Sequence, residues 1–383
     1  MRGLRLKIVY NSISLLTRAS GIGNYVYSLA KTLNTFSGLE FLYFYGKNFS
    51  TKLENKNSYK ISEISNFIRD FIPFSYEIRD YIVKFNFKRS NALEGKFDIY
   101  HETANLLLPC NEKSVLTVHD LSWIKYPEFH PKKRVKLMNK FFEAGLKNAD
   151  QIITPLSVVK SDLINNFGID GNKITAIPLG INQYFKPIKR IDSLAVLNKF
   201  GLSYKQYFIF LGTLEPRKNL ATLLLAYSRL SKSTMNRFPL VIVGGMGWGA
   251  QIHDFRVEKL INLGVVRFVG YLAEDELSII TGASFSMVFP SFYEGFGLPP
   301  LEAMACGVPV IASDISSSKE TMKDAAIFVD PIDVDGFTSA INHLINDEKY
   351  YNELVQLSIS CSAKYNWLNC AISTLNVYKK ALL

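Results

Sequence analysis

Short apolar runs rich in β-branched residues alternate with helix-like segments along the whole sequence, and this alternation constrains the fold more than any other feature. The runs form two series, one in each half of the chain. Strands that alternate with helices form parallel sheets. The sequence therefore predicts an α/β fold with two Rossmann-like, doubly wound domains that face each other across a cleft. The predicted strands are 7–10, 41–45, 98–101, 114–118, 151–154 and 173–177, then 207–211, 240–243, 265–269, 285–289, 308–312 and 326–329.

Turn-forming residues separate the two series. Pro178, Gly180 and Pro187, together with the mixed-charge run 186–192, predict a hinge within 178–203, since such residues interrupt regular structure. The last stretch, from Tyr365, carries apolar residues at helical spacing and predicts a closing helix.

The positive charge of the chain is concentrated in its first half. Residues 1–180 contain 25 basic and 16 acidic residues, whereas the rest of the chain contains 19 and 18. A basic half favours an anionic partner there, such as nucleic acid, a membrane surface or a phosphorylated ligand. Drift in surface lysine content would give the same excess.

Three further features limit the class of protein. The four cysteines show no CxxC pair, which favours reduced thiols in a cytosolic protein over a disulfide framework or a zinc site. Polar residues at 11, 12 and 14 interrupt the apolar N-terminal run, which favours a first strand over a signal peptide. We expect no spanning helix, because no run of about 18 to 20 uncharged apolar residues occurs.

The segment 290–314, PSFYEGFGLPPLEAMACGVPVIASD, is the most informative one. It follows a predicted strand, and Pro299-Pro300 suit the first turn of a helix. We expect Glu294 on the preceding loop and Glu302 in the first helical turn, with the amides of 296–298 between them. A helix N-terminus binds phosphate through its unpaired N–H groups and its dipole. Two carboxylates beside it would accept hydrogen bonds from sugar hydroxyls.

A basic pair occurs after the first strand of the second series. The segment 212–219, GTLEPRKN, places Arg217 and Lys218 in front of an apolar helix predicted over 220–230. A diphosphate would meet both a guanidinium fork and an ammonium charge there. Without other information, such a pair is more often a solvated surface.

Two weaker signals lie in the first half. Gly21 and Gly23 open a predicted helix after the first strand, but Val26 replaces the third glycine of a dinucleotide fingerprint. His119 follows the strand 114–118. A lone histidine in that position is otherwise more often a structural residue.

Taken together, these segments resemble the retaining glycosyltransferases of the GT-B fold and family 4 type, which use nucleoside-diphosphate sugars and include bacterial mannosyltransferases of surface polysaccharides. Their Glu-x7-Glu motif is present as Glu294 and Glu302. The resemblance implies that Glu294 contacts hydroxyls of the donor sugar and Glu302 the ribose. It implies that the amides of Phe296, Gly297 and Leu298 contact the phosphates.

The resemblance assigns further donor contacts in the second half. Arg217 and Lys218 correspond to the basic pair that stabilises the leaving nucleoside diphosphate. Thr213 stands where many members carry an arginine, and we give that role to Arg217. Tyr271 occupies the place where the family's backbone commonly contacts the nucleobase.

In the first half, the resemblance implies that Gly21 and Gly23 let the backbone approach the second phosphate and that His119 faces the donor sugar near its anomeric carbon. The closing helix around Trp367 resembles a crossover back onto the first domain. We therefore predict an N-terminal acceptor-binding domain of residues 1–182 plus 366–383, and a C-terminal donor-binding domain of residues 183–365.

Asp333-Val-Asp335 imitates the metal-binding Asp-x-Asp of a different glycosyltransferase architecture. Its context instead predicts a turn and an N-cap for a helix over 336–345. We expect no metal and no cofactor, with the nucleotide sugar acting as donor substrate.

The predicted activity is a metal-independent, retaining hexosyl transfer, with His119, Glu294, Arg217 and Lys218 as catalytic residues. The favoured donor is GDP-mannose and the favoured acceptor a lipid-linked glycan or polysaccharide, as in O-antigen assembly of lipopolysaccharide. UDP-glucose or UDP-N-acetylglucosamine are alternative donors. A nucleotide-sugar epimerase or a non-catalytic sugar-nucleotide-binding protein is the alternative from another class.

Aromatic and basic residues are mixed over 67–89, and a second basic patch lies at 132–140. Rings beside cations fit an anionic membrane surface and a lipid-linked acceptor, although an ordinary amphipathic helix pair has the same pattern. We expect a cytoplasmic protein associated peripherally with the inner face of the plasma membrane. Nucleic acid is excluded as a partner, since no recognisable binding module is present.

Overall fold

The computed structural model describes residues 6–16, 21–54, 75–248 and 255–383, apart from the side chains of 75–80, 93 and 255–257. The chain divides into two compact units, Met1–Gly180 with Asn366–Leu383 and Ile181–Tyr365, called here the first and the second unit. Each unit contains a parallel sheet with helices between successive strands. The predicted α/β class with two Rossmann-like domains is confirmed.

The sheet of the first unit has the strand order β3-β2-β1-β4-β5-β6-β7. Its neighbours are parallel except for β2 and β3. Its strands are β1 (Leu6–Asn11), β2 (Leu39–Phe44), β3 (Phe49–Ser50), β4 (Ile99–Glu102), β5 (Lys113–Thr117), β6 (Gln151–Thr154) and β7 (Ile174–Ala176). β3 was not predicted, because two residues carry no periodicity.

Six helices of the first unit lie in the described residues, and the last of them returns from the C-terminus. They are α1 (Gly21–Leu33), α2 (Ser75–Glu94), α3 (Ser122–Lys125), α4 (Lys132–Asn148), α5 (Ser157–Phe167) and the closing helix Trp367–Ala381. The closing helix buries Trp367, Cys370 and Tyr378. Because Tyr378 bonds to His101 of β4, this helix is part of the core of the first unit.

The sheet of the second unit is fully parallel and has the order β10-β9-β8-β11-β12-β13. The sheet packs against its helices in one apolar core, which contains Phe208, Ile242 and Val288 of the strands. Its strands are β8 (Phe208–Leu211), β9 (Leu240–Val243), β10 (Val266–Gly270), β11 (Ser286–Phe289), β12 (Val310–Ser313) and β13 (Ile327–Val329).

The helices of the second unit alternate with these strands. They are α6 (Arg190–Lys199), α7 (Leu220–Ser228), α8 (Lys232–Arg237), α9 (Phe255–Asn262), α10 (Glu274–Gly282), α11 (Leu298–Ala305), α12 (Ser316–Met322), α13 (Val334–Asn346) and α14 (Glu348–Ser362). The closing helix Trp367–Ala381 is α15. Asp333 caps α13 by accepting a hydrogen bond from Gly336 N, so the segment resembling Asp-x-Asp is a helix start.

The hinge prediction was too broad. Residues 190–199 lie inside the predicted hinge but form the helix α6. Two charged residues of the run 186–192, Arg190 and Asp192, lie exposed in its first turn, where charge does not prevent a helix. The division between the two units falls at Gly180 and Ile181, and again at Tyr365 and Asn366.

Strand order identifies where each sheet can bind a ligand. In the second unit β8 lies between β9 and β11, so the chain leaves β8 towards one edge of the sheet and later returns to fill the other. In the first unit β1 has the same position between β2 and β4. Ligands of such sheets bind at the carboxyl ends of the strands where the order reverses.

No helix in the described part of the chain is long and apolar enough to span a membrane. All four cysteines are free, and Cys306 and Cys370 are buried.

Candidate active site

A cluster of charged side chains lies at the switch point of the second sheet. Arg217 and Lys218 follow β8, and Glu294 follows β11, the neighbouring strand. Arg217 Nη1 donates to Glu294 Oε2 at 2.9 Å, and Lys218 Nζ donates to Glu294 Oε1 at 2.6 Å. One carboxylate thus bridges the two cations that the sequence places next to each other.

Glu215 is a second carboxylate of the cluster. Its Oε1 accepts a hydrogen bond of 2.7 Å from Arg217 Nη2, while Arg217 Nη1 also donates to the carbonyl of Tyr293 at 2.6 Å. The guanidinium of Arg217 therefore fixes the loop after β11 against the loop after β8. The prediction of a solvated surface pair is excluded, because the side chains of Arg217 and Lys218 are only 12% and 11% exposed.

The charge state of Glu294 follows from these contacts. Burial alone would raise the pKa of its carboxyl group, but the adjacent charges of Arg217 and Lys218 lower that pKa to about 2. Glu294 is therefore an anion at any physiological pH. Glu294 is thus the anionic partner of Arg217 and Lys218 before any donor substrate binds.

The local backbone explains how these side chains converge. Pro216–Lys218 form a single 3-10 turn, and Asn219 adopts a left-handed conformation with φ of 54° at its end. The Asn219 amide donates to the carbonyls of Pro290 and Pro331, at 3.0 and 2.7 Å. This side chain ties the turn to the loops that follow β11 and β13.

The helix α11 begins directly after Glu294's loop. Gly297 has φ of 83°, a conformation that favours glycine, and turns the chain into a helix that starts at Leu298. The first N–H groups of a helix have no acceptor within it. Phe296 and Leu298 are buried, and the Phe296 ring meets Tyr365 edge-on.

The sequence predicted Glu302 in the first turn of α11. In the structure Glu302 is the fifth residue of this helix and lies beyond the first turn. The shift arises because the helix starts one residue before Pro299. Burial, with a further contribution from the charge of Glu274, raises the pKa of Glu302 to about 8. Its environment is thus opposite to that of Glu294, although both carboxyl groups are buried.

The remaining predicted donor residues of the second unit are more exposed. Thr213 is exposed next to Gly212, at the end of β8, and Tyr271 is 38% exposed directly after β10. These two residues line the same carboxyl edge of the sheet as the charged cluster.

Three predicted residues belong to the first unit. Gly21 is exposed and Gly23 buried, and they begin α1 as expected. His119 is 8% exposed and lies just after β5. Its ring Nε2 is 2.8 Å from the carbonyl of Thr103, and its pKa is lowered because the ring is buried.

Each of the two units matches a known family of glycosyltransferases. Residues 19–183 match the model of Glycosyltransferase Family 4, and residues 198–358 match that of Glycosyl transferases group 1. The O-antigen chain mannosyltransferase B of Escherichia coli is 33% identical over 98% of this chain and 100% of its own length. The chain belongs to glycosyltransferase family 4.

Other relatives extend this comparison. The serotype-specific mannosyltransferase WbdA of Escherichia coli is 29% identical over 75% of this chain, which corresponds to 36% of that longer protein. The solved sucrose-phosphate synthase of Thermosynechococcus elongatus is 22% identical, covers 98% of this chain and 99% of its own, and has a TM-score of 0.77. Its likeness shows the GT-B fold.

Family 4 enzymes are retaining hexosyltransferases, so the predicted enzyme class is confirmed. Non-transferring alternatives lose their support with this assignment. Among the described residues, no group of three or more histidine, cysteine, aspartate or glutamate side chains is arranged to hold a metal ion.

The sequence did not predict three residues of this family 4 site, Glu215, Asn219 and Glu274. Glu215 and Asn219 flank the basic pair and hold it, yet no pattern indicates that either is buried. The signal that could have found them is their position within 212–219, on either side of Arg217 and Lys218. Glu274, which acts on Glu302, was missed because 28 positions separate the two in sequence.

Proposed function

We propose that this family 4 glycosyltransferase transfers mannose, with retention, from GDP-mannose to a hydroxyl of a lipid-linked glycan in O-antigen-type polysaccharide assembly. The observation that carries the choice of sugar is the identity of 33% over the full length of an O-antigen chain mannosyltransferase. The charged cluster supports a nucleoside-diphosphate donor of any base.

The cluster offers a physical route for binding the donor. Lys218 and Arg217 are held side by side by Glu294, and the first turn of α11 begins four residues later. A diphosphate is an anion, as the carboxylate of Glu294 is, and would bind to Arg217 and Lys218 beside Glu294. It would also accept hydrogen bonds from the N–H groups of Gly297 and Leu298. Glu294 would then accept hydrogen bonds from the sugar hydroxyls, and Glu302 from the ribose.

The same groups explain the chemistry. The bond between the anomeric carbon and the phosphate oxygen breaks, which leaves positive charge on the sugar and negative charge on the diphosphate. Arg217, Lys218 and the helix N-terminus stabilise the diphosphate, as fixed charges do most effectively in a site shielded from water. The acceptor oxygen attacks the same face of the sugar, and its proton passes to the departing phosphate. The donor is held without a metal ion.

In this proposal His119 would contact the donor sugar, and the backbone at Gly21 and Gly23 would contact the second phosphate. The first unit would bind the acceptor, since the excess of basic residues lies there. The donor needs only two cations of the second unit. The remaining positive charge of the first unit is therefore available for an anionic acceptor or membrane.

The described part of the expected acceptor surface lies on α2 and α4. Tyr81, Ile82 and Phe85 of α2 are 71%, 50% and 57% exposed. Lys84 Nζ lies 3.7 Å from the centroid of the Phe141 ring of α4. A cavity of about 360 Å3 lies between α4, Lys84 of α2 and the loop 107–112, and a second of about 480 Å3 lies between α2 and residues 109–111 of that loop. Residues 67–74 of this surface lie outside the described residues.

Exposed lysines surround these apolar side chains. Lys88 on α2 and Lys132, Lys133, Lys136 and Lys140 on α4 are all exposed. Apolar side chains that enter the lipid headgroup region beside such cations favour an anionic membrane surface. We expect flotation with anionic vesicles at low salt, weaker flotation at high salt, and none with neutral vesicles. Equal absence from both vesicle types would contradict membrane association.

The donor is tested by screening thermal stability with GDP, UDP and their sugars, followed by mass spectrometry of products formed with lipid-linked acceptors. Stabilisation by GDP-mannose together with an acceptor that gains one or more hexose masses is the expected result. Stabilisation and transfer with a UDP-sugar would instead assign one of the alternative donors.

A further inference from the structure

His119 is held at its backbone by one contact and at its ring by two, all within the first unit. Its backbone N–H donates to Asn105 Oδ1 at 2.9 Å, and its ring Nε2 lies 2.8 Å from the carbonyl oxygen of Thr103. The ring of Tyr25 meets it edge-on, with centroids 4.8 Å apart and planes at 82°. The orientation of the imidazole is therefore fixed before any ligand arrives.

The bond to Thr103 selects one tautomer of His119. A carbonyl oxygen only accepts hydrogen bonds, so the proton of the neutral ring must be on Nε2. The lone pair of the ring is then on Nδ1. Among the residues that the structure describes, none forms a hydrogen bond with Nδ1.

The carbonyl of Thr103 is itself fixed, because the turn 102–105 is bonded to the end of β1. Thr103 Oγ1 donates to the carbonyl of Asn11 at 2.6 Å. The carboxyl group of Glu102 accepts from the Asn11 amide at 2.8 and 2.9 Å and from the backbone N–H of Ala104 at 3.0 Å. Asn11 and Glu102 end β1 and β4, the two strands at the switch point of the first sheet.

Tyr25 is held by a second chain of hydrogen bonds. Its hydroxyl lies 3.0 Å from Thr117 Oγ1, which lies 2.8 Å from His101 Nε2. The other nitrogen of His101 lies 2.7 Å from the hydroxyl of Tyr378 on the closing helix. Tyr25, whose ring contacts His119, is therefore tied to the core of the first unit.

We propose that the turn 102–105 is a positioning element that holds His119 as the Nε2–H tautomer and presents Nδ1 as a hydrogen-bond acceptor for a hydroxyl of the donor sugar. Thr103 and Asn105 are its positioning residues. The sugar as partner of Nδ1 rests on the proposed function, whereas the tautomer does not.

A neutral His119 ring can accept a hydrogen bond at Nδ1, whereas a cationic ring could only donate hydrogen bonds. Burial lowers the pKa of its ring, although the Thr103 carbonyl and the charge of Asp120 act in the opposite direction. The ring is therefore uncharged at neutral pH and orients a hydroxyl instead of pairing with a phosphate.

The tautomer can be observed directly by NMR of the full chain labelled with 15N-histidine. The sequence contains five histidines, and the His119 signals are assigned by their loss in His119→Gln. We expect an Nε2–H ring with unprotonated Nδ1 at pH 7.5 to 8, above the ordinary pKa of the ring. A proton on Nδ1, alone or in a charged ring, would overturn the positioning whatever the activity.

The role in catalysis is tested with an isosteric pair at Thr103. Thr103→Val removes the hydroxyl that holds the turn and should lower kcat about tenfold, with donor KM changed less than about twofold, because a reacting group displaced by a fraction of an ångström loses rate. Thr103→Ser keeps the hydroxyl and should restore most of kcat. Thr35→Val, which removes an exposed hydroxyl bonded to a carbonyl of α1, is the matched control.

Asn105→Ala serves as a second variant if Thr103→Val does not fold, since Asn105 is only half-buried. Wild-type kcat in a folded Thr103→Val or Asn105→Ala protein would overturn the positioning role. A wild-type protein that shows the Nε2–H tautomer but transfers no sugar from any donor would contradict the proposed function and leave the positioning of His119 intact.

Discussion

Glu294 illustrates, at the scale of single residues, how neighbouring charges can outweigh burial. The carboxyl group is 7% exposed, yet its pKa is about 2, because Arg217 and Lys218 donate to both oxygens. Glu302, eight positions later, is equally buried, and burial together with the charge of Glu274 raises its pKa to about 8. Two glutamates of one motif therefore carry different charges at neutral pH.

Glu294→Ala should lower turnover by roughly 10²-fold or more, which corresponds to a lost transition-state interaction of about 3 kcal/mol. The reason is that the variant removes both a partner of the sugar hydroxyls and the anion that holds Arg217 and Lys218 together. Steady-state kinetics with saturating donor measures the effect. Glu353→Ala, at an exposed position of the same unit, is the control, and near-normal turnover of Glu294→Ala would refute the assignment.

The pKa of Glu294 also predicts a pH-dependent stability. Because the folded-state pKa of about 2 lies below the ordinary value of 4.5, this carboxylate stabilises the fold above pH 4.5, and the stabilisation is lost as the pH falls towards 2. The full effect is about 3 kcal/mol. Urea unfolding should therefore show a large difference between wild type and Glu294→Gln at pH 7 and a difference reduced to about half or less near pH 3. A difference independent of pH would contradict this origin.

For Glu302 the sign is reversed. Its folded-state pKa of about 8 lies above the ordinary 4.5, so the fold is favoured below pH 4.5 and this contribution is lost as the pH rises through 8. Glu302→Gln keeps the shape without the charge. Its melting temperature relative to wild type should therefore rise between pH 6 and pH 9, and a constant offset over this range would show that Glu302 is not protonated in the folded protein.

At the scale of elements, the backbone at Gly180 packs so closely against the start of α15 that it leaves no room for a side chain. A Cβ added at Gly180 would lie 2.4 Å from the backbone nitrogen of Trp367, and 2.7 Å from the carbonyl carbon of Asn366. Backbone atoms cannot move aside as the end of a flexible side chain can. The helix α15 can pack only if residue 180 has no side chain.

Gly180→Ala should therefore weaken the packing of α15, and thermal unfolding should begin several degrees earlier than in wild type, in keeping with a cost of about 2 kcal/mol or more. Gly21→Ala is the matched control for stability, since an added Cβ there meets nothing within 4 Å. Equal melting temperatures for Gly180→Ala and wild type would show that the backbone of α15 can shift.

At the scale of the whole molecule, the chain passes from the first unit to the second and returns with its last helix. Residues 366–383 bring Trp367, Cys370 and Tyr378 into the core of the first unit. Removing them would expose Tyr10, Tyr25 and His101, which are otherwise buried. The first unit is thus completed by residues that follow the second unit in the sequence.

A protein ending at Tyr365 should consequently lose hydrogen-exchange protection in β1, β4 and α1 of the first unit. Protection of β8, β9 and β11 should remain, because their core lies within 181–365. Hydrogen exchange followed by mass spectrometry of peptides from both units measures this. Equal loss in both units would indicate that the second unit also depends on α15.

The sequence by itself determined the two series of strands and the helices between them, because alternation of apolar runs and turn residues is a local property. It also determined the family, through Glu294, Glu302 and the basic pair at 217–218. The contacts of those side chains depend on tertiary structure, since Glu294 meets Arg217 and Lys218, and Glu274 acts on Glu302, only once segments distant in the sequence come together. The electrostatic difference between the two glutamates and the tautomer of His119 arise in the same way, because burial and carbonyl partners come from residues distant in the chain. Local pattern fixed the elements, and only the packing of strand ends decided the charge and orientation of the groups that act.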